Sequence, residues 1–389
     1  MNPVPLLLRN PWIALAPADD GYLAYDDARH RLHRLNPTAA LIVELADGTR
    51  TAPELVSDLA PLVDGDAGAG CAAWIDHALE EDLLKAVSPG ALAQSDPQPE
   101  HFASLASRLR SEGHVLAAFV CQHYAASQSP DDAEQWAALG DLAHITGRRD
   151  AAREAYEQYL ALAPGDAEVE HILVSLRGDP TPSRAPDECI VQLYARFAEF
   201  YERNMRGDLE YQGPEALGDA LSRAGVPVDL DVLELGCGTG LAGRRLRTHA
   251  RRLVGIDLSP DMIELARATN LYDVLEVAEI TAWLGRGEGR DFDLIAACDT
   301  FIYFGDLRQV LDPAARRLRH GGFVAFSVER GEGAPFSLTD SGRYVHSEEH
   351  VRDAASAAGL TLLSLSSTCL RYEYGDPVIA LVVVLRGAQ

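Results

Sequence analysis

From residue 231 onward, apolar and amphipathic segments alternate along the chain. Residues 232–235, 252–256, 274–277, 292–297 and 323–328 are short, nearly continuous apolar runs, the pattern of strands buried on both faces. Residues 241–249, 260–268, 307–318 and 348–358 follow them in the pattern of helices with one buried face. Strand then helix, repeated, predicts a doubly wound α/β sheet. Two longer β-rich runs, 361–374 and 378–385, meet across Gly375-Asp376, which predicts an antiparallel hairpin at the sheet's end.

The first half reads differently. Short extended segments at 12–15, 21–26 and 31–35 precede three helices. The first starts after Asn36-Pro37-Thr38 and the second at Thr51-Ala52-Pro53-Glu54, a capping threonine with an acid three residues on. The third, 72–86, sets Trp74, Ile75, Ala78, Leu79 and Leu83 at helical spacing. Residues 86–100 hold three prolines and few large apolar side chains, a linker composition. Then Ser129-Pro130-Asp131-Asp132-Ala133-Glu134 recurs as Ala163-Pro164-Gly165-Asp166-Ala167-Glu168, and Gly113 as Gly147, each offset by thirty-four residues. A capping helix at 167–176 and the breaker Arg177-Gly178-Asp179-Pro180-Thr181-Pro182 close this segment; an aromatic helix over 195–205 follows. The expected domains are 1–90, 100–178 and 187–389.

Charge narrows the partners. A net charge of -25 over 389 residues argues against nucleic acid or an anionic membrane as partner, since phosphate binding needs a basic face, while a basic peptide or a small molecule is compatible. Six scattered cysteines without a C-x-x-C pair read as reduced thiols, neither a metal site nor a disulfide framework. With no stretch of membrane-spanning length and no signal-peptide pattern, the expectation is a cytoplasmic protein.

The candidate chemistry centres on Asp231-Val232-Leu233-Glu234-Leu235-Gly236-Cys237-Gly238-Thr239-Gly240, with Asp257 at the end of the next strand. A buried strand entering a glycine-rich turn lets backbone approach a ligand, and the following acid can hold ribose hydroxyls. Gly238 to Gly243 also fit the dinucleotide pattern G-x-G-x-x-G, so glycines alone admit a nicotinamide enzyme. Glu234 and the closing hairpin favour another reading. E-x-G-x-G-x-G resembles the first motif of class I S-adenosyl-L-methionine (SAM)-dependent methyltransferases, whose Rossmann-like seven-stranded sheet ends in a reversed strand. The resemblance covers about 200 residues. It implies that Gly236, Gly238 and Gly240 admit the cofactor, Glu234 approaches its amino acid end, and Asp257, within Gly255-Ile256-Asp257-Leu258-Ser259, takes the ribose. Met262 would pack on adenine, Glu279-Ile280 would flank it although aspartate is usual at 279, and Asp299 would contact the amino group. The product would be S-adenosyl-L-homocysteine (SAH), with no metal.

Two further resemblances concern the first half. Trp136, Leu139, Gly140, Ala152, Tyr156 and Pro164 match pattern positions of tetratricopeptide repeats, an all-α array read here as a spacer, with other modifying enzymes as conceivable partners. The strands before Leu35-Asn36-Pro37-Thr38-Ala39-Ala40, and the helices after them, resemble the pyrroloquinoline quinone biosynthesis D-type (PqqD-like) domain, a winged-helix α+β fold that recognises leader peptides. It implies that a precursor peptide adds as a strand at 22–25 or 31–35.

The acceptor stays open at this level. A carboxylate needs only a cation, for which Arg343 or Arg371 would serve; a hydroxyl or amine needs a base, for which His346 is the candidate, with Tyr344 or Glu329 beside it. Tyr303 follows the fourth strand, where acceptors bind; the aromatic helix over 195–205 resembles the N-terminal lid segment of such methyltransferases, which implies Tyr201 and Tyr211 as contacts to cofactor or acceptor. The combined expectation is methylation, at a carboxylate oxygen, of a ribosomally synthesised, post-translationally modified peptide. The alternatives are a small-molecule methyltransferase whose first half mediates association, and a scaffold with a vestigial site.

Overall fold

The computed structural model describes residues 4–59, 67–88, 99–197, 205, 210–286, 289–373 and 375–388. The chain separates into two compact units, Met1–Pro164 and Gly165–Gln389.

The first unit begins with β1 (Leu6–Arg9), β2 (Ile13–Ala18), β3 (Gly21–Asp26), β4 (Arg31–Leu35), α1 (Pro37–Leu45), β5 (Asp47–Thr51), α2 (Ala52–Leu59), α3 (Ala67–Glu80) and β6 (Leu84–Val87). The strands form two antiparallel three-stranded sheets, ordered β5-β1-β6 and β2-β3-β4. The side chain of Asn36 caps α1 by accepting from the Ala39 amide, with proline in the first turn. Glu54 accepts from the Thr51 amide at 2.9 Å at the start of α2. Leu7, Ile13, Leu15, Ile42, Leu55 and Ile75 draw both sheets and all three helices onto one core.

Four helices complete this unit: α4 (Pro99–Ser111), α5 (Val115–Gln128), α6 (Ala133–Ile145) and α7 (Arg149–Leu162). Each consecutive pair packs together, and α5 also packs on β2 and β3. Phe102 meets Tyr124 edge to face at 4.8 Å, and Trp12 meets His101 at 5.3 Å. The expected boundary near residue 90 therefore does not separate compact units. Two helical hairpins cannot cover their own outer apolar face, and here β2 and β3 cover it.

The second unit begins with α8 (Ala167–Arg177), α9 (Asp187–Phe197) and α10 (Gly213–Arg223). The expected cap of the helical array, α8, lies in this unit. His171 Nε2 is 3.1 Å from the Gly342 carbonyl, and Ser175 Oγ donates to Asp340 Oδ1 at 2.8 Å. Next come β7 (Leu230–Leu235), α11 (Gly243–Leu246), β8 (Ala250–Asp257), α12 (Pro260–Ala268), β9 (Val274–Val277), α13 (Ile280–Leu284) and β10 (Phe292–Ala297). The chain ends with α14 (Arg308–Arg317), β11 (Leu318–Arg330), β12 (Phe336–Leu338), β13 (Tyr344–His346), α15 (Glu348–Ala357), β14 (Thr361–Glu373) and β15 (Asp376–Arg386).

Strands β9-β8-β7-β10-β11 are parallel neighbours in that order, β15 lies antiparallel on β11, and β14 pairs with β15. This is the mostly parallel, Rossmann-like sheet with a reversed strand. Among the described residues it has nine strands rather than seven, because β13 extends β11 in parallel and β12 folds back on β13. Residues 341–347, expected as a polar acceptor loop, are largely part of that addition. Successive residues of β7 face opposite layers: Val232 joins Leu217, Leu253 and Leu294, whereas Leu233 joins Ile295, Phe326 and Val328. With both faces covered, the carboxyl ends of the parallel strands are where a ligand can sit.

Candidate active site

The end of β7 passes into a turn that only glycine can make. Gly236 has φ +64°, and a Cβ there would stand 2.3 Å from the Thr300 side chain, which follows β10. Gly238 has φ +51°, and its missing Cβ would meet nothing within 4 Å. The first glycine lets two strand ends close up, and the second leaves open space above the backbone. Asp257, at the end of β8, accepts from the Gly238 amide at 2.8 Å and the Ser259 amide at 2.9 Å. Ser259 in turn caps α12 through the Met262 amide.

These groups border a small, partly open cavity of about 70 Å³. Gly236, Gly238, Asp257 and Leu258 line one side, Met262, Glu279 and Ile280 the next, and Asp299 and Tyr303 the end of β10. Burial pushes the Asp257 carboxyl up, against the hydrogen bonds from Ser259 and Gly238. Thr239 Oγ1 and Asp299 Oδ1 are buried without a hydrogen-bond partner among the described residues. Asp299 also holds φ +54°, and an outlier of this kind at a site is strain that the surroundings must maintain.

Several expected residues lie elsewhere. Glu234 does not line the cavity; its carboxylate accepts from the Tyr272 hydroxyl at 2.7 Å, and burial pushes its pKa up to about 8. Tyr272 also packs on Gly240, so this pair supports the turn from behind. Glu279 caps α13, accepting from the Thr281 and Ala282 amides, and it pairs with Arg184 at 2.8 Å. Its carboxylate thus serves the start of α13 and Arg184 while still bordering the cavity.

His346 is fully buried and sits off the cavity, with Nε2 2.7 Å from the Phe304 carbonyl. Burial lowers its pKa to about 4, the carbonyl contact opposing. A neutral ring with this nitrogen donating to backbone holds the β13 addition in place and cannot reach an acceptor, which corrects the general-base expectation. Tyr344 is buried likewise, its hydroxyl donating to the Pro182 carbonyl at 3.0 Å. Tyr201 lies outside the described residues. Tyr211 reaches the site only indirectly, its hydroxyl 3.2 Å from Cys298 Sγ.

Arg343, Arg371 and Glu329 meet in a buried ring behind Asp299. Arg371 contacts Asp299 at 2.8 Å, Glu373 at 2.7 Å, and Glu329. Arg343 contacts Glu329 at 2.8 Å and Glu373 at 2.5 Å. Both guanidinium groups are thereby spent on carboxylates, which corrects their expected role as cations holding an acceptor carboxylate. Burial and Glu329 push the Asp299 carboxyl up while Arg371 pulls it down, and the upward shift prevails.

Sequence reasoning missed the cover. Residues Arg184, Asp187, Ile190 and Tyr194, from the strap before α9 and from α9 itself, line the cavity. The Ala185 amide donates to the Tyr303 carbonyl at 2.9 Å, and Arg184 bridges to Phe304. Tyr194 and Tyr303 touch through their hydroxyls at 2.9 Å. Ile190 and Tyr194, four apart, carry the signal for this cover; residues 198–204 of the aromatic run lie outside the described residues.

With this geometry in view, the comparisons are specific. Residues 233–324 match the family described as a methyltransferase domain. The biotin biosynthesis bifunctional protein BioCD of Bordetella avium is 33% identical over 148 residues, covering 37% of this chain and 30% of that protein. Malonyl-[acyl-carrier protein] O-methyltransferase of Hahella chejuensis is 31% identical over 181 residues, 43% of this chain and 62% of that protein. The chain thus spans less than two thirds of either relative. Among solved structures, the N-methyltransferase NodS of Bradyrhizobium japonicum in complex with SAH is 21% identical, with a TM-score of 0.41 over 51% of this chain and 98% of that one. The chain carries a SAM-dependent methyltransferase domain of class I, with SAM as its cofactor. Among the described residues, no helix is long and apolar enough to cross a membrane.

Proposed function

We propose that this protein transfers the methyl group of SAM to an acceptor on a ribosomally synthesised precursor peptide, whose leader pairs with the edge of β4. The observation supporting methyl transfer is the cavity floored by Gly236 and Gly238 and bordered by Asp257. Its residues suit the cofactor: Asp257 would hold ribose hydroxyls, Met262 and Ile280 the adenine faces, and the open space above Gly238 would admit the remaining backbone-side contacts. When bound, SAM supplies an electrophilic methyl carbon on a sulfonium. The protein's own share is to orient and to exclude water. Tyr194, Tyr303 and the Arg184 strap do this from above.

The peptide half of the reading is supported by β4, which among the described residues pairs with β3 alone and exposes Leu32 on a polar strand. An edge with unpaired backbone groups is a template for an added strand. A Leu32→Glu change in the full chain tests it: the KM for a leader-bearing precursor should rise at least tenfold while a leaderless core peptide is unaffected. Equal effects on both substrates would overturn leader recognition and favour a small-molecule acceptor.

A further inference from the structure

The buried ring at the end of β10 speaks to the acceptor. Arg343 and Arg371 face the carboxylates of Asp299, Glu329 and Glu373, two cations against three anions. Neither of these two cations lines the cavity; Arg184, which does, is paired with Glu279 and Asp187. The surplus negative charge sits where Asp299, on the cavity wall, keeps Oδ1 buried and unpartnered. A buried acceptor oxygen without a donor costs free energy unless a ligand supplies one. The Thr300 hydroxyl at this end donates to the Gly236 carbonyl at 3.2 Å, and burial pushes the phenol pKa values of Tyr194 and Tyr303 up, Tyr194 to about 12, so these stay neutral. An incoming carboxylate would meet like charge in a dry site with no free cation among the described residues.

We infer that the acceptor atom is a hydroxyl oxygen or an amine nitrogen that still bears hydrogen, and that Asp299 Oδ1 receives that hydrogen. This rests on the methyl-transfer reading above and replaces the carboxylate acceptor expected from sequence. The acceptor's lone pair forms the bond to the methyl carbon as the carbon–sulfur bond breaks, leaving its electron pair on sulfur as a neutral thioether. The acceptor's proton passes to the Asp299 carboxylate and from there to solvent. The upward shift of the Asp299 carboxyl makes it a better proton acceptor than an ordinary aspartate.

The test uses the full chain saturated with SAH and three probes, 4-ethylphenol, n-butylamine and butyrate, titrated calorimetrically. The phenol or the amine should bind the complex at least tenfold more tightly than butyrate. Asp299→Asn, which tolerates the left-handed backbone, should abolish that preference while leaving SAH affinity within threefold. Tyr303→Phe should weaken the phenol without reversing the order. Butyrate binding as well as the others, no probe binding, or unchanged probe binding in Asp299→Asn would overturn the inference. So would a large loss of SAH affinity in that variant, which would assign Asp299 to the cofactor's amino group. If SAH itself fails to bind the wild type, the methyl-transfer reading falls first.

Discussion

Arg371 Nη1 donates to Asp299 Oδ2 at 2.8 Å, joining the final hairpin to the end of the fourth parallel strand. Arg371 is 3% exposed and serves three carboxylates. Removing it leaves buried anions uncompensated, which costs about 3–5 kcal/mol. Arg371→Met should therefore unfold at markedly lower urea concentration than wild type. Arg371→Lys, which keeps the charge but loses the planar fork, should fall between them.

The glycines of the turn should fail in different ways. Gly236→Ala places a methyl 2.3 Å from Thr300 and should lower Tm as well as SAM affinity. Gly238→Ala meets open space, so its backbone strain of roughly 1 kcal/mol is tolerated. Its methyl, however, would occupy ligand volume. Calorimetry should show SAM affinity falling at least tenfold while Tm moves only a few degrees.

Glu234 should leave a signature in stability against pH. Its pKa is about 8 in the folded protein, raised by burial, against about 4.3 unfolded. The folded state therefore holds a proton that the unfolded state releases. This contribution is fully present below pH 4.3 and is lost as pH rises through 8, on the order of 5 kcal/mol across the window. Glu234→Gln should flatten that fall in urea titrations taken between pH 5 and 9.

His346 predicts the opposite slope. Its pKa is lowered to about 4 by burial against about 6.5 unfolded, so its contribution is present above pH 6.5 and is lost toward pH 4, at most about 3 kcal/mol. His350, stacked on it at 5.9 Å, shifts the same way. His346→Gln should reduce acid sensitivity and leave the turnover pH profile above 6.5 unchanged. A lost alkaline or neutral limb in that profile would restore His346 as a base.

The parts of this molecule that could be read from the chain are those dictated by local periodicity. The parallel strands, the closing hairpin over residues 361–386 and the Gly236 to Gly240 turn follow from apolar runs, glycine spacing and one acid after the second strand. Asp257, Met262 and Asp299 reached the cavity wall as expected because each sits directly at the carboxyl end of a strand or in the helix that follows it. His346 and Arg343 did not, although they also follow a strand. Residues 336–346 form their own two-strand addition, and pairing between distant segments leaves little trace in local pattern.

The sequence by itself determined that a glycine turn and the acid ending the next strand, Asp257, would stand together, because backbone conformation and strand order place them. Only the tertiary structure decided the charge of the acceptor wall. Arg343 and Arg371 look like free cations in a string of residues. Their meaning depends on Asp299, Glu329 and Glu373, brought from three separate strand ends, and electrostatics is a property of distances that the chain does not list.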